Sequence, residues 1–256
     1  DAHEALDLYS ESPRATHHRG ANLWPDAEFE SVYTEYVDEL LGVGRKTMRH
    51  FSSGLGLRPD YFDGLYDDSF WCMRAIHYPD APEAEPRSEF GCGAHTDSGF
   101  LTLLLQDDVG GLQVQNGDGE WIDARPIDGT LVVNLGEMLQ LRTRGYYLAT
   151  PHRVVSKASG AGSPSRLSVP YFWNPRLDAV IEPIESLPET LTWLRPEPED
   201  VAETGSHGSG GNRLIGEYGL NALKSLARSH PEVMARHHPD LEVMRDGSVV
   251  RRAPRR

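Results

Sequence analysis

Apolar residues recur at spacings of three and four between residues 28 and 53, at Phe29, Val32, Tyr36, Leu40, Leu41, Met48 and Phe51, with Glu30 and Asp38 between them. That period predicts an amphipathic helix. Gly54, Gly56 and Pro59 end it, and a short second helix is expected over Asp60–Tyr66. From Trp71 the pattern changes. Short runs rich in branched and aromatic residues alternate with turn residues, at Trp71–Tyr78, Gly99–Gln106, Gly111–Gln115, Leu131–Asn134, His152–Ser156, Arg166–Phe172 and Val180–Pro183. Asn116-Gly117-Asp118-Gly119 reads as a hairpin turn, with Trp121–Ala124 as the return strand. Gly136–Thr143 reads as a short helix between strands, and residues 214–237 as a last helix. Many short strands at this spacing predict a sandwich or barrel. The expected fold class is therefore mainly β with flanking α-helices.

The first 25 residues are polar and irregular and read as a loop or an extended arm. Residues 195–213 have the composition of a mobile loop. The chain thus divides into an N-terminal arm and helical segment (1–70), a β-rich core (71–194) and a segment of loop, helix and basic tail (195–256). The arginines of that tail, Arg245, Arg251, Arg252, Arg255 and Arg256, read as a solvated end, with an acidic partner as the alternative. The 256 residues suffice for a sizeable core. A formal net charge of −14 argues against broad nucleic-acid binding. Apolar runs such as Phe100–Leu105 fall far short of the ~18 residues of a membrane span. Two cysteines, Cys72 and Cys92, make neither a disulfide framework nor a zinc pattern. A reducing, cytoplasmic setting is expected, with no nucleic acid and no membrane.

His-x-Asp occurs twice, at His95-Thr96-Asp97 and His238-Pro239-Asp240. Among 11 histidines one such tripeptide is close to chance, so context decides. His238 and Asp240 flank a proline in a polar stretch and read as surface residues. His95 and Asp97 enter the apolar run Gly99–Gln106. On an extended chain they share a face, and burying an imidazole and a carboxylate together is costly without a partner. A metal ion resolves that cost. His152, at the start of a β-like run, is the third candidate ligand; its alternative is a core histidine bonded to backbone. Two histidines and one carboxylate leave coordination positions open and suit non-haem Fe(II) and oxygen chemistry. Arg166 and Ser168 share a strand face in an otherwise apolar run, Arg166–Phe172. An inward arginine there needs an anion, and its planar fork suits a carboxylate.

The chain resembles the iron(II)- and 2-oxoglutarate-dependent dioxygenases of the isopenicillin N synthase-like family. The resemblance rests on RAIHYP (Arg74–Pro79), AHTDSGFLTLLLQ (Ala94–Gln106), VGGLQVQ (Val109–Gln115), LVVNLG (Leu131–Gly136), TPHRV (Thr150–Val154) and RLSVPYFWNP (Arg166–Pro175), in the family's order. It implies a double-stranded β-helix, a jelly-roll barrel with flanking helices. It implies His95, Asp97 and His152 as catalytic iron ligands, with Fe(II), 2-oxoglutarate and O2 as cofactor and cosubstrates. Arg166 and Ser168 would hold the distal carboxylate of 2-oxoglutarate, and Tyr78 would hydrogen-bond a carboxylate; the alternative for Tyr78 is a core tyrosine. Phe172, Trp173, Tyr147 and Leu148 are candidates for the substrate mouth or for ordinary packing. Loop 195–213 reads as a lid or as a plain linker.

Three features depart from the family. The chain is expected to begin after the family's usual N-terminal strands and helix, as a fragment or an incomplete record would. Ile76 stands where many plant members have Asn. A Gly/Ser/Pro insert, residues 159–165, lengthens the segment before Arg166. The implied reaction couples decarboxylation of 2-oxoglutarate to hydroxylation, desaturation or ring closure of a small organic substrate. Rival readings are an iron oxidase of this fold that uses no 2-oxoglutarate, a zinc hydrolase, and a non-catalytic ligand-binding barrel. Arginine outnumbers lysine 22 to 3. With the resemblance, that points to bacterial natural-product, antibiotic or amino-acid metabolism.

Overall fold

The computed structural model describes residues 3–12, 18–79, 90–155, 165–188, 216–244 and 249–252. The insert residues 159–164, the expected loop 195–213, Arg245 and tail residues 253–256 lie outside the described residues.

Residues 4–9 of the expected arm form strand β1 (Glu4–Tyr9), which pairs antiparallel with β2 (Cys72–Tyr78). Two aliphatic side chains give this segment too little pattern to read as a strand. Pairing with β2 supplies what local sequence lacks. Leu8 turns into the core, and its neighbour Asp7 turns the opposite way. Helix α1 (Ala27–Gly54) follows, close to the predicted bounds. The Asp26 side chain accepts a hydrogen bond from the Phe29 N–H (2.8 Å) and caps it. The expected second helix is only a single 3-10 turn, Asp63–Leu65.

The β-rich core forms two facing sheets. One runs β1-β2-β9-β4-β7, with β4 Leu101–Gln106, β7 Val132–Leu135 and β9 Arg166–Trp173. The other runs β3-β8-β5-β6, with β3 Phe90–His95, β5 Leu112–Gln115, β6 Trp121–Asp123 and β8 His152–Val155. Apart from β1-β2 and β5-β6, the neighbours in these sheets are non-consecutive strands, as in the expected double-stranded β-helix. β3 was not predicted, because FGCGAH has two glycines and little apolar alternation. Val180 makes a single bridge to Glu217 instead of a strand. Helix α2 is Glu137–Arg142. The single C-terminal helix expected over 214–237 is two, α3 (Tyr218–Ser229) and α4 (Pro231–His237). Pro231 lacks the N–H needed to continue α3, and it starts α4 instead. A short hairpin, β10 (Leu241–Val243) with β11 (Val249–Arg251), ends the described chain.

The five-stranded sheet has two buried faces. On the outer one, Met73, Leu101, Leu103, Tyr171 and Trp173 pack with Val37, Leu40 and Met48 of α1. The Tyr33 hydroxyl ties the helix to the Met73 carbonyl (2.5 Å). Alternate residues of the same strands face the other sheet and line a cavity. Trp173 is therefore a core residue and not part of a substrate mouth. It is 1% exposed, stacks on Tyr66 at 3.7 Å and lies where a Cβ on Gly44 would come within 2.8 Å of its ring. Consecutive strand residues point to opposite faces, so Phe172 and Trp173 could not both line one pocket. Replacing Trp173 by alanine is expected to cost about 3–5 kcal/mol of stability, measured by chemical denaturation.

Candidate active site

His95 ends β3, and His152 begins β8 directly opposite it in the ladder. Their rings lie 4.3 Å apart. Asp97 lies beyond the end of β3, in the connection to β4 rather than on one strand with His95. Its position comes from the backbone. The Glu137 and Met138 N–H groups at the start of α2 donate to the carbonyls of Asp97 (2.8 Å) and Gly99 (3.1 Å). At Gly136 a Cβ would sit 2.1 Å from the Gly99 carbonyl oxygen, so this crossing admits glycine alone. The shared-face reading of His95 and Asp97 thus reached the right pair through the wrong local geometry.

The donor atoms converge. The Asp97 Oδ1 lies 3.8 Å from the His95 Nε2 and 3.7 Å from the His152 Nε2. One donor atom from each residue falls within 4.8 Å of the others. Each imidazole keeps its Nδ1 against a backbone carbonyl, His95 on Gly93 (2.8 Å) and His152 on Thr150 (3.0 Å). A neutral ring held that way has its Nδ1 protonated and its Nε2 lone pair turned to the cluster. Asp97 is 8% exposed, and its Oδ2 accepts from the Thr102 hydroxyl (2.5 Å) and the Asn134 amide (2.6 Å). Its Oδ1 is left to face the two imidazoles. Burial opposes charge on both rings. In His95 the Cys92 sulfur, the Asp97 carboxylate and the Gly93 carbonyl outweigh it, and the pKa rises to about 9. In His152 burial prevails and the pKa falls.

Beyond this cluster the barrel holds a cavity of about 90 Å3. Arg166 lies in its wall, 4% exposed. No carboxylate pairs with it among the described residues. Its Nε and Nη1 have no hydrogen-bond partner, and its Nη2 reaches only the Gln106 amide oxygen at 3.5 Å. The guanidinium lies over the Tyr78 ring at 4.9 Å. The ladder sets Tyr78 opposite Arg166 and Ile76 opposite Ser168, and all four line the cavity. Burial pushes the Tyr78 pKa up, and the neighbouring Arg166 charge opposes that shift. A wider cavity of about 560 Å3 opens on the other side of the cluster.

The family model of the "2OG-Fe(II) oxygenase superfamily" matches residues 70–175. A 1-aminocyclopropane-1-carboxylate oxidase from Dictyostelium mucoroides is 32% identical over 86% of this chain and 67% of its own length. The chain belongs to the 2OG-Fe(II) oxygenase superfamily. A homoarginine-6-hydroxylase from Oryza sativa subsp. japonica is 43% identical over 72% of this chain and 59% of its own length. A full-length Neurospora crassa protein, solved in complex with alpha-KG and thymine, superposes with a TM-score of 0.70 at 29% identity. That match covers 90% of this chain and 66% of the Neurospora chain. This oxygenase chain spans about three fifths of the length of relatives such as the rice protein.

The superfamily's cofactors, Fe(II) and 2-oxoglutarate, fit the residues present. The His-Asp-His cluster offers three donors of the type such an iron takes. The unsatisfied Arg166 guanidinium offers the cation that a dicarboxylate requires. Ile76 is an apolar wall opposite Ser168, with no polar group where many plant members of the superfamily carry Asn. Phe172 lines both cavities. Tyr147 and Leu148 line neither: the Tyr147 hydroxyl donates to the Phe51 carbonyl (3.2 Å), its ring packs edge-on against Phe51, and Leu148 is 54% exposed. Tyr147 sits behind the barrel because Thr143, at the end of α2, accepts its backbone N–H.

Sequence reasoning missed Thr102 and Asn134, which orient Asp97. The signal was present: each is a polar residue flanked by aliphatic ones within a strand, in LTLLLQ and LVVNL. Thr102 and Asn134 are also cross-strand partners. Thr102→Val and Asn134→Ala should each weaken Fe(II) binding by roughly 10–100-fold, measured by anaerobic metal titration, with the fold intact by circular dichroism.

Proposed function

We propose that this chain carries the catalytic centre of an Fe(II)- and 2-oxoglutarate-dependent oxygenase that oxidises a small organic substrate. Decarboxylation of 2-oxoglutarate to succinate and CO2 supplies two electrons, and a substrate C–H bond supplies the other two that reduce O2. Hydroxylation, desaturation and ring closure are the outcomes open to such a centre. The observation that carries the reading is the buried Arg166, without a carboxylate partner among the described residues, in the same cavity as His95, Asp97 and His152.

In this reading the His95 Nε2, the Asp97 Oδ1 and the His152 Nε2 hold the iron. The iron supplies O2 activation when bound. Thr102 and Asn134 keep Asp97 oriented, and the Gly93 and Thr150 carbonyls keep both imidazoles in one tautomer. Arg166 forks onto the distal carboxylate of 2-oxoglutarate, with Ser168 and Tyr78 as hydroxyl partners. Leu104, Leu112 and Val132 close the cavity with apolar surface that excludes water. The catalytic unit is residues 71–194, buttressed by β1 and α1. The substrate enters through the wider cavity, where Phe172 faces it. That cavity carries charged groups of both signs, among them Glu137 and Lys224. This mixture and the rice homoarginine-6-hydroxylase support amino-acid-like substrates and amino-acid or natural-product metabolism.

Anaerobic addition of Fe(II) and 2-oxoglutarate should give a weak visible charge-transfer band that needs both components. A folded, iron-loaded protein with no such band points instead to an iron oxidase that uses no 2-oxoglutarate. Asp97→Ala should lose the band and all turnover, and retained succinate formation would sink the ligand assignment. Arg166→Ala should raise the 2-oxoglutarate concentration for half-maximal band by roughly 10–100-fold, as a charge-assisted pair worth about 1.5–3 kcal/mol requires. An unchanged titration would make Arg166 structural.

A further inference from the structure

Four residues line both cavities: Arg74, His95, Asp97 and Phe172. They mark the boundary between the inner chamber and the wider one. Two of them belong to the iron cluster. Arg74 is the remaining polar one, and nothing in the mechanism above uses it.

Arg74 lies on the same face of β2 as Ile76 and Tyr78, by the two-residue period of the strand. β1 pairs Asp7 with it across the ladder. The Arg74 Nε donates to the Asp7 Oδ1 at 2.6 Å. Among the described residues its two terminal nitrogens have no protein acceptor. The side chain is 33% exposed and lines both cavities. Arg74 and Arg166 therefore do different work on neighbouring strands. Among the described residues Arg166 has no counter-charge, and it demands one. Arg74 is already neutralised by Asp7, so it offers the cavity oriented N–H donors rather than net positive charge. Fixing the guanidinium through Nε also removes much of the rotamer freedom that binding would otherwise cost.

We propose that Arg74 is a substrate-binding, specificity-determining residue that donates to a carbonyl or carboxylate oxygen of the substrate at this boundary, and that Asp7 positions it. The proposal rests on the oxygenase reading and names a substrate feature that reading leaves open. Substrates must carry such an oxygen close enough to the oxidised carbon for both to meet at the boundary. A compound lacking it leaves the Arg74 donors facing the cavity unpaired, which sites built for a hydrogen bond penalise strongly.

The test reads the visible band of the Fe(II)–2-oxoglutarate complex of the whole 256-residue chain, without O2, as probes are added. Substrate binding beside the iron changes its coordination and shifts the band. The probes are L-homoarginine, which bears a carboxylate, thymine, which bears ring carbonyls, and 5-guanidinopentylamine, which is homoarginine without its carboxyl group. At least one oxygen-bearing probe is expected to shift the band, and the amine is not. Which of the two does so separates a carboxylate from a carbonyl partner. Arg74→Lys keeps a cation beside Asp7 but loses the fork. It should melt as wild type does and bind the active probe at least tenfold more weakly, a loss far larger than any change in 2-oxoglutarate affinity. Asp7→Asn should weaken the same probe severalfold. Arg74→Lys that binds the probe as wild type does, an amine that binds as well as homoarginine, or silence of both oxygen-bearing probes over a normal band overturns the proposal. Absence of the band itself overturns the oxygenase reading, and this proposal with it.

Discussion

The two-residue period of β2 and β9 is the constraint on which the rest of the molecule depends. Each strand must satisfy two unlike neighbours at once. Met73, Tyr171 and Trp173 give one face to α1, and dry packing against a helix holds the sheet in place. Arg74, Tyr78, Arg166 and Ser168 give the other face to the cavity. A shift of one residue in β9 would bury Arg166 against α1 and turn Trp173 into the chamber, and one in β2 would do the same to Arg74 and Met73. Such a slip exposes or strands every side chain on both faces. Register here is thus set by the core and used by the site.

That arrangement carries an energetic cost. Burying a guanidinium without an acceptor and two imidazoles beside a carboxylate disfavours the empty protein. The structure contains the cost at the metal cluster by satisfying the ligand atoms that need not face a metal. Asp97 gives one oxygen to Thr102 and Asn134, and each histidine gives its Nδ1 to a carbonyl. At the cluster and at Arg166, what stays unsatisfied is what a metal ion and a dicarboxylate would complete. Ligands that complete such a site stabilise the fold by mass action. The orphaned Arg166 atoms are therefore better understood as a binding site than as a defect of packing.

Much of this was legible in the chain. The helix at residues 27–54, the hairpin around Asn116–Gly119 and strands β2 and β4 to β9 follow from periodicity and turn chemistry, which are local. His95, Asp97, His152, Arg166 and Ser168 stood out because polar or charged side chains in apolar runs are costly enough to need a reason. β1 and β3 were not legible. Their own sequences are weak, and each is held by a neighbour distant along the chain, β2 and β8 respectively. Thr102, Asn134 and Arg74 were written as plainly as Arg166. Their meaning depended on knowing which strands lie opposite one another.

Residue types and spacing by themselves determined the fold class, the candidate metal donors and the need for an anion near Arg166, because hydrophobic period and the cost of buried charge act through local composition. Only the tertiary structure decided that Trp173 belongs to the core and Phe172 to the cavities, that Tyr147 and Leu148 lie elsewhere, and that Asp7 meets Arg74 at the boundary. Those outcomes depend on which face of a strand is covered and by what. No stretch of chain carries that information until the sheets and the helix have packed.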